Sequence, residues 1–202
     1  VKGPVTSPVI AVVLFDGVEE LDWVGPWEVL ATWARGWPDD GARVFTVADD
    51  DAAVVRCANG ARVLADHRWD DVADFDVLVW PGGRGTLAQL GDEVVRARVR
   101  QAADAGVLMA SVCTGALVYA DAGILDDRPA TTHWSSLDHL AALGSNIEVR
   151  RQDRFVDDGQ VVTAAGVSAG IDMALHLVAR LHSAERARQV RRAIQYDPAP
   201  PV

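Results

Sequence analysis

The sequence predicts an α/β fold, a doubly wound and mostly parallel sheet sandwiched by helices in one domain. Three observations predict it. Short apolar runs of four to seven residues recur along the chain, segments with helical spacing stand between them, and the runs are apolar throughout rather than alternating. Continuous apolar runs suit strands buried on both faces, as in a parallel sheet. Strands that alternate with helices give a layered α/β arrangement.

Each element has its own justification. Residues Val1–Pro8, with Gly3, Pro4, Ser7 and Pro8, read as a flexible N-terminal tail, and 9–202 as the domain. Val9–Phe15 is the first strand, ended by Asp16-Gly17. A helix follows from about Asp22 to Trp33, with Pro26 near its first turn, where proline is tolerated. Arg43–Ala48 is the second strand. Val54–Leu64 carries Asn59-Gly60 between short β-like pieces and predicts a hairpin. Asp76–Trp80 is a buried strand stopped by Pro81-Gly82-Gly83. Asp92–Ala105 has helical spacing that turns Val95, Val99 and Ala102 or Ala103 inward. Val107–Val112 is a further strand and Thr114–Ala122 a helix of small residues. Gln160–Ala164 is a late strand. Ser168–Leu181 is an amphipathic helix whose spacing turns Ile171, Leu175, Val178 and Leu181 inward. Ala184–Gln195 is a final helix. The Pro-rich segment Tyr196–Pro201 cannot be helical. No internal repeat or interdomain linker is visible.

Composition narrows the function. The 202 residues carry a net charge of −10, which argues against a nucleic-acid-binding face, since phosphate neutralisation needs a basic one. Arg186, Arg188, Arg191 and Arg192 make the last helix basic, and the acidity of the rest favours a solvated, salt-bridged face there. The longest apolar run, Val107–Ala120, is too short to span a bilayer. The two cysteines, Cys57 and Cys113, cannot build a secreted-type disulfide framework. No charged region followed by an apolar one opens the sequence, so free thiols in a reducing cytoplasm are expected. His67, His139, His176 and His182 show no metal-ligand spacing, and no metal or organic cofactor is expected.

Ligands in doubly wound folds bind at the carboxyl ends of the strands. Three such ends are informative. The strand ending at Val112 runs into Cys113-Thr114-Gly115, where a helix starts at once. That is the layout of a nucleophile elbow with sulfur in place of a hydroxyl, and Gly115, lacking Cβ, lets helix and strand approach. A helix N-terminus is expected to lower the thiol pKa. Cys57 has no such setting and reads as an inert buried thiol. Gly82 and Gly83 read either as a plain turn or, with the Thr114 N–H, as backbone donors for an oxyanion. Glu19, Glu20 and Asp22 follow the first strand, and spacing does not choose an acid among them; Asp22 reads equally as a helix cap.

The segments FDGVEELDWVGP (Phe15–Pro26), PGG (Pro81–Gly83), SVCTG (Ser111–Gly115), ATTHW (Ala130–Trp134), AGID (Ala169–Asp172) and YDPAPP (Tyr196–Pro201) resemble the ThiJ/PfpI superfamily, whose fold is class I glutamine amidotransferase-like, or flavodoxin-like. Within it they are most similar to the isonitrile hydratases. The resemblance implies that Asp22 is the acid beside Cys113, where most of the superfamily carries glutamate, and that Thr114 supports the site. It implies a cofactor-independent lyase that adds water to a small-molecule isonitrile through a cysteine thioimidate, and a homodimer. Thr114 stands where many relatives place histidine, which weighs against peptidase-like chemistry. His133 matches the family pattern, but as a lone histidine beside Trp134 it reads more readily as a packed residue than as a base. Trp23 is a candidate wall for an apolar substrate pocket. Two other outcomes stay open: a glyoxalase- or deglycase-like activity on reactive aldehydes, and a ligand-sensing domain related to AraC-type regulators, whose helix-turn-helix domain the sequence up to Val202 does not contain.

Overall fold

A computed structural model describes residues 7–50 and 54–198. Their strands are β1 (Val9–Val13), β2 (Arg43–Ala48), β3 (Val55–Arg56), β4 (Arg62–Val63), β5 (His67–Arg68), β6 (Val77–Trp80), β7 (Leu108–Val112), β8 (Pro129–Ala130), β9 (Glu148–Val149), β10 (Phe155–Asp157) and β11 (Val161–Ala164). Their α-helices are α1 (Glu20–Gly36), α2 (Thr86–Gln89), α3 (Glu93–Asp104), α4 (Gly115–Asp121), α5 (Leu137–Leu143), α6 (Ala169–Leu181) and α7 (Ala184–Ala193).

Seven strands form one sheet in the order β10-β11-β7-β6-β1-β2-β5, parallel at every pairing except β10 with β11. The mostly parallel, doubly wound architecture expected from the apolar runs is therefore present. Successive strand residues face opposite ways, which divides the core in two. Ile10, Val12, Val77, Val79, Ala110 and Val112 pack under α1, α6 and α7. Ala11, Val13, Leu78, Trp80 and Met109 pack under α3, α4 and α5. Asn59-Gly60 turns the antiparallel β3–β4 hairpin as expected. Glu20 holds that hairpin by accepting the Asn59 and Ala61 N–H groups.

Some expectations need correction. Residues 1–6 of the expected tail lie outside the described residues, but Pro8 belongs to the fold: it is buried, and its carbonyl accepts the Arg43 N–H at 2.9 Å. The first strand ends at Val13, not Phe15. Helix α6 turns Met173, Ala174, Leu177 and Val178 fully inward, while Ile171, Leu175 and Leu181 are only partly buried. Its apolar stripe is wider than one face, so the sheet takes one edge and neighbouring helices the other. On α7, Arg186 is tied to Asp40 through Nε at 2.5 Å and Nη2 at 3.0 Å, and Arg188 pairs with Glu185 at 2.6 Å. Among the described residues, no helix is long and apolar enough to cross a membrane.

Candidate active site

The chain passes from β1 to β2 on one side of the sheet and then crosses to β6 on the other. This opens a crevice at the carboxyl ends of β1 and β6, where such folds place ligands. Four segments meet there: the start of α1, the turn after β6, the β7–α4 turn, and the segment after β11.

Cys113 stands between β7 and α4 at φ 56, a left-handed conformation that a non-glycine residue adopts only under constraint. The expected strained elbow is thus present. Its restraints come from its own backbone. The Cys113 N–H is shared between the carbonyls of Ala164 and Ala165, each at 3.1 Å, and its carbonyl accepts the buried Thr132 hydroxyl at 2.6 Å. Gly115 has the tight contact that its missing Cβ allows: a methyl there would lie 2.1 Å from the Trp80 carbonyl oxygen.

Asp22 lies in the first turn of α1 and is 0 % exposed; Cys113 is 7 % exposed. The Gly82 N–H donates to Asp22 Oδ2 at 3.0 Å, while Oδ1 is buried without a hydrogen-bond partner. Burial pushes the Asp22 carboxyl up to about 7, against the opposing pull of the Cys113 thiol and of the Gly82 and Val167 backbone N–H groups. Burial, and then the neighbouring carboxylate, push the Cys113 thiol up to about 12, although the Thr114 and Val167 backbone N–H groups favour its ionised form. The expectation of a thiol acidified by its helix N-terminus is corrected here. Helix α4 has only seven residues, and burial beside a carboxylate moves the thiol the other way. The pair therefore places a protonatable carboxyl near neutrality beside a neutral thiol.

Gly82 and Gly83 do not serve as the free oxyanion donors that the sequence suggested. The Gly82 N–H is committed to Asp22, and the Gly83 N–H donates to Thr114 Oγ1 at 3.0 Å. They orient the acid and the threonine instead. A Cβ on Gly82 would sit 2.5 Å from the Thr114 nitrogen and 3.0 Å from Asp22 Oδ2, so no side chain fits at this junction. Thr114 Oγ1 also shares a hydrogen bond with Thr86 Oγ1 at 3.0 Å.

Trp23 packs against both the main core and a small cluster under the hairpin that includes Cys57, and its indole nitrogen is buried without a hydrogen-bond partner. Cys57 itself is buried, and burial raises its pKa. His133 caps a short 3-10 turn, with Nδ1 2.7 Å from Ser135 Oγ. Its ring lies over Gly166, where a Cβ would come within 2.1 Å of the ring. It is a packed residue at the edge of the site. Three contributors escaped the sequence reading: Thr86, Thr132 and Val167. Val167 is β-branched, yet stands at φ 52. Of these only Thr132 had a signal, its place in the Ala130–Trp134 segment. Among the described residues, no group of three or more His, Cys, Asp or Glu is placed to hold a metal ion.

A sequence model of the DJ-1/PfpI family matches residues 9–180. The chain is 36 % identical over 192 residues to the isonitrile hydratase of Pseudomonas putida, covering 95 % of this chain and 80 % of that protein. It is 33 % identical over 144 residues to the HTH-type transcriptional regulator CdhR of Pseudomonas aeruginosa, covering 71 % of this chain and 42 % of the regulator. A crystal structure of a ThiJ/PfpI family protein from Pseudomonas syringae superposes with a TM-score of 0.84 at 32 % identity, covering 97 % of this chain and 78 % of that one.

Proposed function

The chain belongs to the DJ-1/PfpI family, and from that membership we propose that its Cys113–Asp22 pair hydrates isonitriles to N-substituted formamides. The observation that carries this reading is the fully buried Asp22 carboxyl at the strained Cys113 elbow, with Thr114 rather than histidine next in sequence. A group titrating near neutrality can take a proton in one step and return it in the next.

The proton accounting is simple. The Cys113 sulfur attacks the terminal carbon of R–N≡C as Asp22 accepts the thiol proton, and Asp22 then delivers that proton to the carbon. The product is the thioimidate R–N=CH–S–Cys113. Water adds to its carbon, the nitrogen is protonated, and the tetrahedral adduct R–NH–CH(OH)–S–Cys113 collapses. The C–S bond breaks, the sulfur recovers a proton, and R–NH–CHO leaves. Thr114, fixed by Gly83 and Thr86, holds the turn that presents the sulfur.

Formamide release from a panel of alkyl and aryl isonitriles tests the reading, with methylglyoxal consumption as the competing assay. Cys113→Ala should abolish turnover while the protein stays folded, and Cys57→Ser should leave the rate nearly unchanged. Consumption of methylglyoxal alone, or a dead Cys57→Ser with an active Cys113→Ala, would sink it. The likeness to CdhR supports a second reading, in which the same pocket senses a ligand. No turnover with any isonitrile, together with saturable binding of one, would favour that reading.

A further inference from the structure

Two segments that carry the family likeness, AGID and the start of YDPAPP, take no part in the cysteine–carboxylate pair. The structure joins them through Arg154. Arg154 Nε donates to Asp172 Oδ2 at 2.6 Å, and Nη2 lies 2.5 Å from the same oxygen. The Tyr196 hydroxyl donates to Asp172 Oδ1 at 3.0 Å. Arg154 reaches further still. Its Nη2 donates to Ser168 Oγ at 3.4 Å, and its carbonyl accepts the Ala165 N–H at 2.9 Å. One residue thereby holds both ends of the segment Ala165–Ser168.

That segment borders the nucleophile. The Ala165 carbonyl shares the Cys113 N–H, Gly166 lies under the His133 ring, and Val167 is held at φ 52. A β-branched residue in that conformation costs on the order of 1–3 kcal/mol and persists only where its surroundings over-determine it. The Val167 N–H favours the ionised forms of both Cys113 and Asp22.

We propose that Arg154, Asp172 and Tyr196 form a clamp that fixes the segment Ala165–Ser168 against the Cys113 turn, which makes them positioning residues for the nucleophile. The proposal rests on the functional reading above for turnover, but not for the reactivity of the thiol. The Arg154 and Asp172 side chains are 54 % and 23 % exposed, and ion pairs this open add little to stability. Breaking the clamp should therefore loosen the segment without unfolding the chain.

The experiment follows alkylation of Cys113 by iodoacetamide across the neutral and alkaline range, in a Cys57→Ser background where Cys113 is the one remaining thiol. The carboxylates that act on this thiol and on Asp22 itself, Asp22 and Glu19, are the same in every variant. Arg154→Met should slow alkylation at a given pH by about tenfold, the scale of losing a hydrogen bond to a charged group, and move the profile to higher pH. Asp172→Asn and Tyr196→Phe should move it the same way by less, and Arg154→Lys should recover part of the loss. Arg151→Met, which breaks an exposed pair with Asp138, should leave the profile in place. Profiles of Asp172→Asn and Tyr196→Phe that superpose on the parent, in proteins with unchanged thermal unfolding, would overturn the proposal even where Arg154→Met fails to fold. A shifted profile in a protein without isonitrile turnover would refute the functional reading and leave the clamp standing.

Discussion

Replacing Asp22 by Asn keeps the shape of the side chain and an oxygen for the Gly82 N–H, but removes the ionisable group. The structure gives the size of the effect. Burial pushes the carboxyl up to about 7, above the usual range of an aspartate in an unfolded chain, so the folded chain binds the proton more tightly than the unfolded one. Its contribution to stability is then fully present below the unfolded pKa and is lost as pH rises through 7. About three pKa units correspond to about 4 kcal/mol at most. In a domain of this size that is a melting-temperature difference on the order of 10 °C. Asp40, Asp121 and Asp157, whose pKa values are lowered, act in the opposite sense, but they are shared by parent and variant. The difference between the two melting curves therefore isolates Asp22. Differential scanning calorimetry from acid to mildly alkaline pH should show Asp22→Asn gaining on the parent as pH rises, mostly between the two pKa values. Formamide turnover by the same variant should fall ~10²-fold or more if the carboxyl moves the proton. Melting temperatures that run parallel across the range would refute the buried-acid argument. Full turnover in a folded Asp22→Asn protein would refute its chemical role.

Two further substitutions test the scaffold around the pair. Gly115→Ala places a methyl 2.1 Å from the Trp80 carbonyl oxygen, so the exit of β6 must move; denaturant unfolding should show a loss of about 3 kcal/mol, and a near-neutral result would mean the helix can shift away freely. Thr132→Val keeps the volume but leaves the Cys113 carbonyl without its hydroxyl donor; a loss of about 1–3 kcal/mol in the same assay is expected, and stability equal to the parent would show that the turn does not depend on Thr132.

The sequence made the main strands legible because β1, β6, β7 and β11 are buried on both faces and admit almost nothing polar. It did not reveal β5, β8, β9 and β10. These have only two or three residues each, most of them wholly or partly exposed, and their pairing is decided by the long-range approach of other segments. At the site, the Cys113 elbow was readable from a strand that meets a helix without a loop. Asp22 was not separable from Glu19 and Glu20 by spacing, because all three follow the same strand; only the family resemblance chose it, and burial sets it apart in the fold. The roles of Gly82 and Gly83 stayed open because a sequence shows that an N–H is unobstructed, not which acceptor has claimed it. Val167 lay beyond reach altogether. Nothing local favours valine in a left-handed conformation, which is imposed by tertiary contacts on both sides of it.

The way Cys113 is restrained also bears on how the chain is made. Its N–H and carbonyl are satisfied by Ala164, Ala165 and Thr132, all of which are synthesised after it. Until β11 docks beside β7, the turn has no cause to hold its left-handed conformation, and the thiol has no cover. Parallel pairings between distant segments close slowly. A growing chain on the ribosome thus carries an open, ordinary cysteine through much of its synthesis. The buried thiol of the finished molecule comes into being only when one of the last parts of the sheet to emerge is in place.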